Sequence, residues 1–171
     1  VEKLPLKSES VDFIICNQVY EHVNSQVLLF GEMCRVLRLG GYCYFAGPNL
    51  LFPIEPHIFW PFVHWLPRNV SLKIMSFFGF EGVFDAYSST YWKLKRQLND
   101  FYVENAIPYI IKNHKNYKRF GFSWKIISKI PHCLLSSFSF LSPGFIFVLK
   151  KDTCHKYVNE NSLKNYFFNK R

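Results

Sequence analysis

The chain has 171 residues and is 49% hydrophobic, enough to bury one sizeable core and within the usual span of a single domain. Its 19 Phe and 10 Tyr exclude a disordered polymer, and leave open whether the rings fill a core or line an apolar substrate cleft. The formal charge of +9 is compatible with nucleic acid, an anionic membrane surface or a phosphorylated substrate as partner. The five cysteines are odd in number and form no Cys-x-x-Cys pair, so neither a disulfide framework nor a zinc site is expected; a reducing, cytoplasmic setting fits best.

The sequence opens on Val1, Glu2, Lys3, Leu4 and Pro5, with no start methionine, charged-then-apolar signal or cleavage site, and the expectation is that the beginning is missing. Residues 11–16 (VDFIIC) form a short apolar run with a single charge, the pattern of a parallel strand covered on both faces. Residues 25–38 place Val27, Leu28, Phe30, Met33, Cys34 and Leu37 near a helical period, with Asn24 or Ser25 as N-cap. Gly40 and Gly41 end that helix, because glycine accepts the left-handed conformation, and residues 42–46 (YCYFA) follow as a second strand. Strand, helix, turn and strand make a βαβ unit, whose site forms beyond the carboxyl ends of its strands, at Asn17-Gln18 and Gly47-Pro48-Asn49.

Residues 50–80 are dominated by aromatic and apolar side chains but are broken by Pro53, Pro56, Pro61 and Pro67, which rules out one continuous membrane-spanning helix. Short helices packed as a lid over the strand ends suit this pattern better than an in-plane membrane contact. Further on, residues 90–98 read as a helix, 101–103 as a short strand, 123–138 as a helix interrupted by Pro131, and 144–149 (GFIFVL) as a strand. Residues 152–171 are polar and read as a loose tail. Between Glu104 and Asp152 the chain carries Lys112, Lys115, Lys118, Arg119, Lys125, Lys129, Lys150 and Lys151 and no acid, a basic zone whose 112–129 part could meet an anionic or membrane surface; no specific nucleic acid is expected.

Four pieces stand in order over about forty residues: Leu4-Pro5-Leu6, then Asp12 within its strand, then Tyr20-Glu21-His22-Val23, then Arg35-Val36-Leu37-Arg38-Leu39-Gly40-Gly41. Together they resemble the central block of class I S-adenosylmethionine-dependent methyltransferases, whose pattern is LPF, FD plus a strand, LEHV and RVLKPGG. The resemblance implies an α/β, Rossmann-like methyltransferase fold, N-terminally truncated, with the family's strands four to seven and their flanking helices. It divides the chain into a partial methyltransferase domain over 1–151 (core block 1–49, aromatic lid or substrate insertion 50–90, carboxy-terminal part 91–151) and a tail over 152–171. The family's glycine-rich loop and the acidic residue that grips the ribose would precede Val1, so the fragment alone is expected to be inactive.

The implied activity is S-adenosyl-L-methionine-dependent methyl transfer to a small-molecule or lipid-like acceptor. The competing expectation is a non-catalytic remnant or interaction module that lacks the cofactor loop. By resemblance, Val1 and Glu2 are the edge of the adenine pocket, Asn17 and Gln18 contact the methionine end of the cofactor, and Glu21 and His22 form the family's EH pair. His22 is the candidate catalytic base, since a histidine beside a cleft can take a proton at neutral pH, although the pair could simply order the helix start. Tyr20 and Val19 are expected to pack beneath the next helix. Asn49 and His57, like Glu55 and His64, follow the second strand, where an acceptor could be oriented or deprotonated. Phe59, Trp60, Phe62 and Trp65 either shape an apolar pocket or belong to the core. The histidines show no ligand spacing, and no metal is expected.

Overall fold

The computed structural model describes residues 3–54, 59–79, 87–116 and 122–152. Its central element is a four-stranded sheet in the order β1-β2-β4-β3, formed by β1 (Val11–Asn17), β2 (Leu37–Pro48), β3 (Tyr102–Asn105) and β4 (Gly144–Lys150). β1 and β2 are parallel, with Phe13 opposite Tyr42 and Asn17 opposite Ala46, while β4 runs antiparallel to both β2 and β3. The parallel pair is joined by α1 (Gln26–Val36). The last strand therefore inserts between the second and third, so residues from both ends of the described chain share one core. This mixed α/β architecture, with its parallel βαβ unit, agrees with the Rossmann-like expectation.

α1 starts where Ser25, in extended conformation, accepts the Leu28 N–H on its hydroxyl, a side-chain N-cap. The helix ends at Val36, earlier than the glycine pair predicts, because Leu37 already adopts extended backbone and enters β2. The glycines act one step later. Val11 pairs with Leu37 but Phe13 with Tyr42, so residues between them on β2 bulge out. Gly40 takes a φ of 76° there, and its N–H donates to the Lys151 carbonyl while Lys151 N–H donates to Gly41.

One face of the sheet carries the core. Cys16, Cys43, Phe45, Phe145, Phe147 and Leu149 meet Phe30, Met33 and Cys34 of α1 and Leu94 of α3 (Tyr91–Gln97), together with Leu98 and Phe101. The rings interlock, with Phe45 lying 5.3 Å from Tyr20, 5.6 Å from Phe30 and 6.1 Å from Phe147 by centroid. The expectation that β1 is covered on both faces is corrected by the structure. Ile14 and Cys16 point to the helices, whereas Phe13 is 54% and Ile15 70% exposed on the opposite face, and among the described residues β1 is an edge strand. That outer face is shielded at one end by α4 (Ile107–Lys112), which packs on α6 (His132–Ser137), with α5 (Phe122–Ile127) between them in sequence. The interrupted helix read across 123–138 thus resolves into α5 and α6 on either side of Pro131.

Two charged clusters tie loops to this frame. Arg35 pairs with Glu32 at 2.8 Å and also donates to the carbonyls of Leu4 and Leu6, while Glu32 accepts the Leu4 N–H, fastening the 4–8 loop to α1. Lys151, read above as part of a basic surface, is buried. Its ammonium donates to the carbonyl of Leu37 at 2.7 Å and lies 3.2 Å from the Glu9 carboxylate, satisfying the carboxyl end of α1.

One-sided packing sets a contrast in mutational cost. Phe45→Ala should destabilise the chain by about 3–5 kcal/mol, whereas Ile15→Ala should change it by less than about 0.5 kcal/mol. Denaturant unfolding of the two variants measures both. The hydrogen bonds from Arg35 hold the Glu32 carboxyl below the usual carboxylate range. Its contribution to loop docking is therefore complete above the ordinary carboxylate pKa and is lost as pH falls through the lowered value. A pH titration of the Leu4 amide resonance should follow that loss, and Glu32→Gln should abolish the dependence.

Candidate functional site

The parallel strands β1 and β2 end side by side, and the chain leaves β1 at Asn17 and Gln18. Gln18 has a φ of 54°, the left-handed region that non-glycine residues rarely enter, and its N–H donates to Ala46 at 2.9 Å, extending the ladder by one bond. The turn throws both polar side chains outward. Asn17 and Gln18 line a cavity of about 380 Å³ whose other walls include Tyr44, Ala46, Ile110 and Ile146, between the outer sheet face and α4. The two residues predicted from sequence are thus brought together, at the carboxyl end of a parallel pair, on a cavity with a polar rim and an apolar wall.

Beneath this rim lies a buried polar junction. Tyr20 is fully buried, and its hydroxyl donates to the Pro48 carbonyl and accepts the Ser89 N–H at 3.1 Å. Its ring lies against Gly47: a Cβ there would stand 2.4 Å from the Tyr20 ring, so only glycine fits. Ser89 Oγ donates to Gln26, whose amide donates to Tyr87, and Tyr87 N–H donates back to the Glu21 carbonyl. These bonds lace the 19–22 turn, the start of α1 and the 87–89 segment onto the end of β2. The sequence reading placed Tyr20 in the packing, and it missed the hydroxyl's bridging role. The spacing that could have shown it is the glycine at 47 facing an aromatic residue just past the first strand.

The remaining candidates fall in different places. Glu21 is buried, with one carboxylate oxygen 3.9 Å from His22 Nε2, and neither of its neighbours Tyr20 and Cys16 lies open to solvent. His22 itself is exposed, and the described lining of the 380 Å³ cavity does not include it. Val19, expected to pack, is 39% exposed. Asn49 is buried: its amide donates to the carbonyls of Phe140 and Ser142 at 2.7 and 2.8 Å, and its side-chain oxygen accepts the Leu51 N–H. It therefore holds the 140–142 turn against the end of β2 and presents no surface to a ligand. Val1, Glu2 and His57 lie outside the described residues.

Burial sets the electrostatics. It pushes the Cys16 thiol up to about 11 and the Cys43 thiol up to about 12, and it raises the Tyr20 phenol, with the Glu21 carboxylate adding to the effect at Cys16 and Tyr20. All three groups are protonated at neutral pH and serve packing. Among the described residues no group of three or more His, Cys, Asp and Glu side chains could hold a metal ion.

Residues 1–45 match a family model described as a methyltransferase domain. That match spans the four motifs read from the sequence and about a quarter of the chain. No curated protein matches the chain. Among solved structures it is similar to an S-adenosylmethionine-dependent methyltransferase from Mesorhizobium loti, at 15% identity and a TM-score of 0.49, covering 87% of this chain and 65% of that one. It is also similar to a methyltransferase from Thermotoga maritima described as a possible histamine N-methyltransferase, at 16% identity and a TM-score of 0.47, covering 88% and 60%. A third is phosphoethanolamine N-methyltransferase 2 of Haemonchus contortus bound to S-adenosyl-L-methionine, at 12% identity and a TM-score of 0.43, covering 86% and 35%. The chain thus spans between 35% and 65% of the length of these proteins.

The junction behind the rim yields a prediction. Tyr20→Phe removes the partner of a buried Ser89 N–H and should cost about 1–3 kcal/mol. Gly47→Ala forces the ring out of its seat and should cost more. Thermal unfolding monitored by circular dichroism orders the two.

Proposed function

We propose that this chain serves S-adenosylmethionine-dependent methyl transfer to a small-molecule or lipid-like acceptor. The observation that carries the reading is the placement of Asn17 and Gln18. They belong to a methyltransferase-like sequence block, and they sit on the rim of a cavity at the carboxyl end of a parallel strand pair. Their amide side chains offer both donors and acceptors to a polar amino-acid tail, and Ala46, Ile110 and Ile146 offer an apolar wall to its thioether portion. That donor set fits the methionine end of the cofactor.

Bound there, the cofactor supplies a methyl group activated by its own sulfonium charge. What this chain contributes is position and the exclusion of water. The left-handed turn at Gln18 fixes the direction of the rim, the Tyr20–Gly47 seat fixes its height against β2, and the α4 isoleucines keep the far wall dry. His22, exposed on the adjoining turn beside the Glu21 carboxylate, is the group here best placed to accept a proton from the acceptor. Glu21 and Asn49 act behind the rim as positioning residues. The exposed Lys115, Lys125 and Lys129 give an accessory attraction for anionic acceptors.

Titrating the isotope-labelled chain with S-adenosylmethionine should perturb the amide signals of Asn17, Gln18 and Ala46. Gln18→Ala should weaken the interaction about tenfold, the loss of one or two hydrogen bonds to a charged ligand. His22→Ala should leave binding unchanged and, in any longer form of the protein that methylates an acceptor, lower that rate. An absence of perturbation, both in this chain and in one extended by any upstream coding sequence its gene carries, would overturn the proposal and favour a non-catalytic interaction module.

A further inference from the structure

The aromatic segment read as a lid, with an in-plane membrane contact second, leaves much of its apolar surface exposed over the described residues 59–78. α2 (Arg68–Phe77) turns Ser71 and Met75 inward, Ser71 donating its hydroxyl to the Val63 carbonyl at 2.5 Å, and leaves Val70, Ile74 and Phe77 exposed. Those three stand at i, i+4 and i+7, one stripe of a helix, and an amphipathic helix ordinarily buries such a stripe. Here it faces out. Phe77 is 84% exposed and Phe78, which follows it, 68%. The stripe continues across an open apolar groove of about 470 Å³, lined by Ile74, Phe78, Leu66, Pro61 and Trp60, to Phe59, which is 80% exposed. Phe62 and Trp65 flank it, half exposed, their rings 5.1 Å apart.

Between Glu55 and Glu81 the chain carries Arg68 and Lys73 and no acid. Both cations are exposed; Lys73, at i+3 from Val70 and i−4 from Phe77, borders the stripe, while Arg68 lies around the helix from it and donates to the Tyr87 hydroxyl at 2.8 Å. No helix among the described residues is long and apolar enough to cross a membrane. An amphipathic helix with an exposed apolar and aromatic stripe, bordered by Lys73 and free of acids, matches the physics of a segment lying in a bilayer interface, its rings at the boundary between headgroups and acyl chains.

We propose that the 59–78 surface docks on the face of an anionic lipid bilayer, inserting Phe59, Phe77 and Phe78 while Lys73 meets lipid phosphates. The same element is fastened to the candidate site. Trp65 Nε1 donates to the Leu50 carbonyl at 2.6 Å, His64 Nε2 lies 3.1 Å from the same oxygen and 2.8 Å from that of Phe52, and Leu50 lies two residues past the end of β2. Docking therefore brings the carboxyl end of β2 to the membrane surface. The proposal stands apart from methyl transfer and holds or fails without it.

The test is sedimentation of the purified chain with vesicles of phosphatidylcholine alone and with vesicles in which about one-third is phosphatidylglycerol. The chain should partition onto the anionic vesicles, and added salt should weaken binding. Lys73→Ala should reduce the partition coefficient about fivefold, and Phe77→Ser with Phe78→Ser should abolish partitioning while leaving the circular dichroism spectrum unchanged. Lys115→Ala with Lys125→Ala should leave the phenylalanine-dependent binding in place. As a measurement on the unsubstituted chain, brominated lipid should quench its tryptophan fluorescence, and the quenching should shrink in Trp65→Phe. Three results would overturn the proposal: no association with anionic vesicles, association indifferent to the phenylalanine substitutions, or a lipid-free dimer that those substitutions dissolve, which would assign the surface to a second copy of the chain.

Discussion

The contact on which the rest of this structure depends is the ring of Tyr20 lying on Gly47. A tyrosine cannot be fully buried unless its hydroxyl finds partners, and here the partners are two backbone groups, the Pro48 carbonyl and the Ser89 N–H. One side chain thus joins the turn after the first strand, the end of the second and a segment almost seventy residues away. Because the ring also touches Phe45, the junction is continuous with the aromatic core formed by Phe30 and Phe147. The polar rim at Asn17 and Gln18 inherits its position from this arrangement, since Gln18 hydrogen-bonds to Ala46, immediately before Gly47.

A second constraint acts at the opposite end of the sheet. The ladder between β2 and β4 runs from Pro48 opposite Gly144 to Tyr42 opposite Lys150, and the next residue, Lys151, buries its ammonium under the end of α1. A buried lysine is tolerated only when its charge is met, and the Leu37 carbonyl and Glu9 carboxylate meet it. The βαβ unit is therefore clamped at both ends by later parts of the chain: by Ser89 and the 140–142 turn at the site, and by Lys151 away from it. This explains how two short parallel strands hold a defined end on a sheet of only four strands.

The βαβ unit was legible in the sequence because its signals are local. An apolar run and a capped helical period each report on residues within a few positions of one another, and the Ser25 cap follows from them; the glycine pair gave a left-handed Gly40 but placed it at the helix end, whereas it sits in a bulge inside β2. The exposed pair Asn17-Gln18 was legible for the same reason, as polar residues ending an apolar strand. What stayed hidden depends on partners far along the chain. Nothing near Asn49 says that its amide will meet the Phe140 and Ser142 carbonyls, and nothing near Lys151 separates a buried ammonium from a surface one. The aromatic 59–78 segment was legible as short helices but not in what they meet, because an apolar helical stripe specifies that something apolar should cover it, without specifying that the cover is protein.

The outer face of the sheet poses that same question. A run such as VDFIIC, with apolar residues at successive positions, is the composition of a strand enclosed on both sides, since alternation is what one covered face requires. β4 shows the difference: Phe145, Phe147 and Leu149 are buried while Gly144, Ile146, Val148 and Lys150 are only partly so, and this antiparallel strand is at ease with one face turned outward. β1 has Phe13 and Ile15 where alternation would put polar side chains, its outer edge pairs with no strand among the described residues, and its neighbour Tyr42 is half exposed beside them. The described helices α1 and α3 cover the inner face, and α4 reaches only the end where the candidate cavity lies. The sequence of β1 is thus suited to a more enclosed sheet than these elements provide. The cavity at Asn17 and Gln18 opens on that less covered side, so whatever encloses the outer face of β1 would also form a wall of the proposed cofactor site.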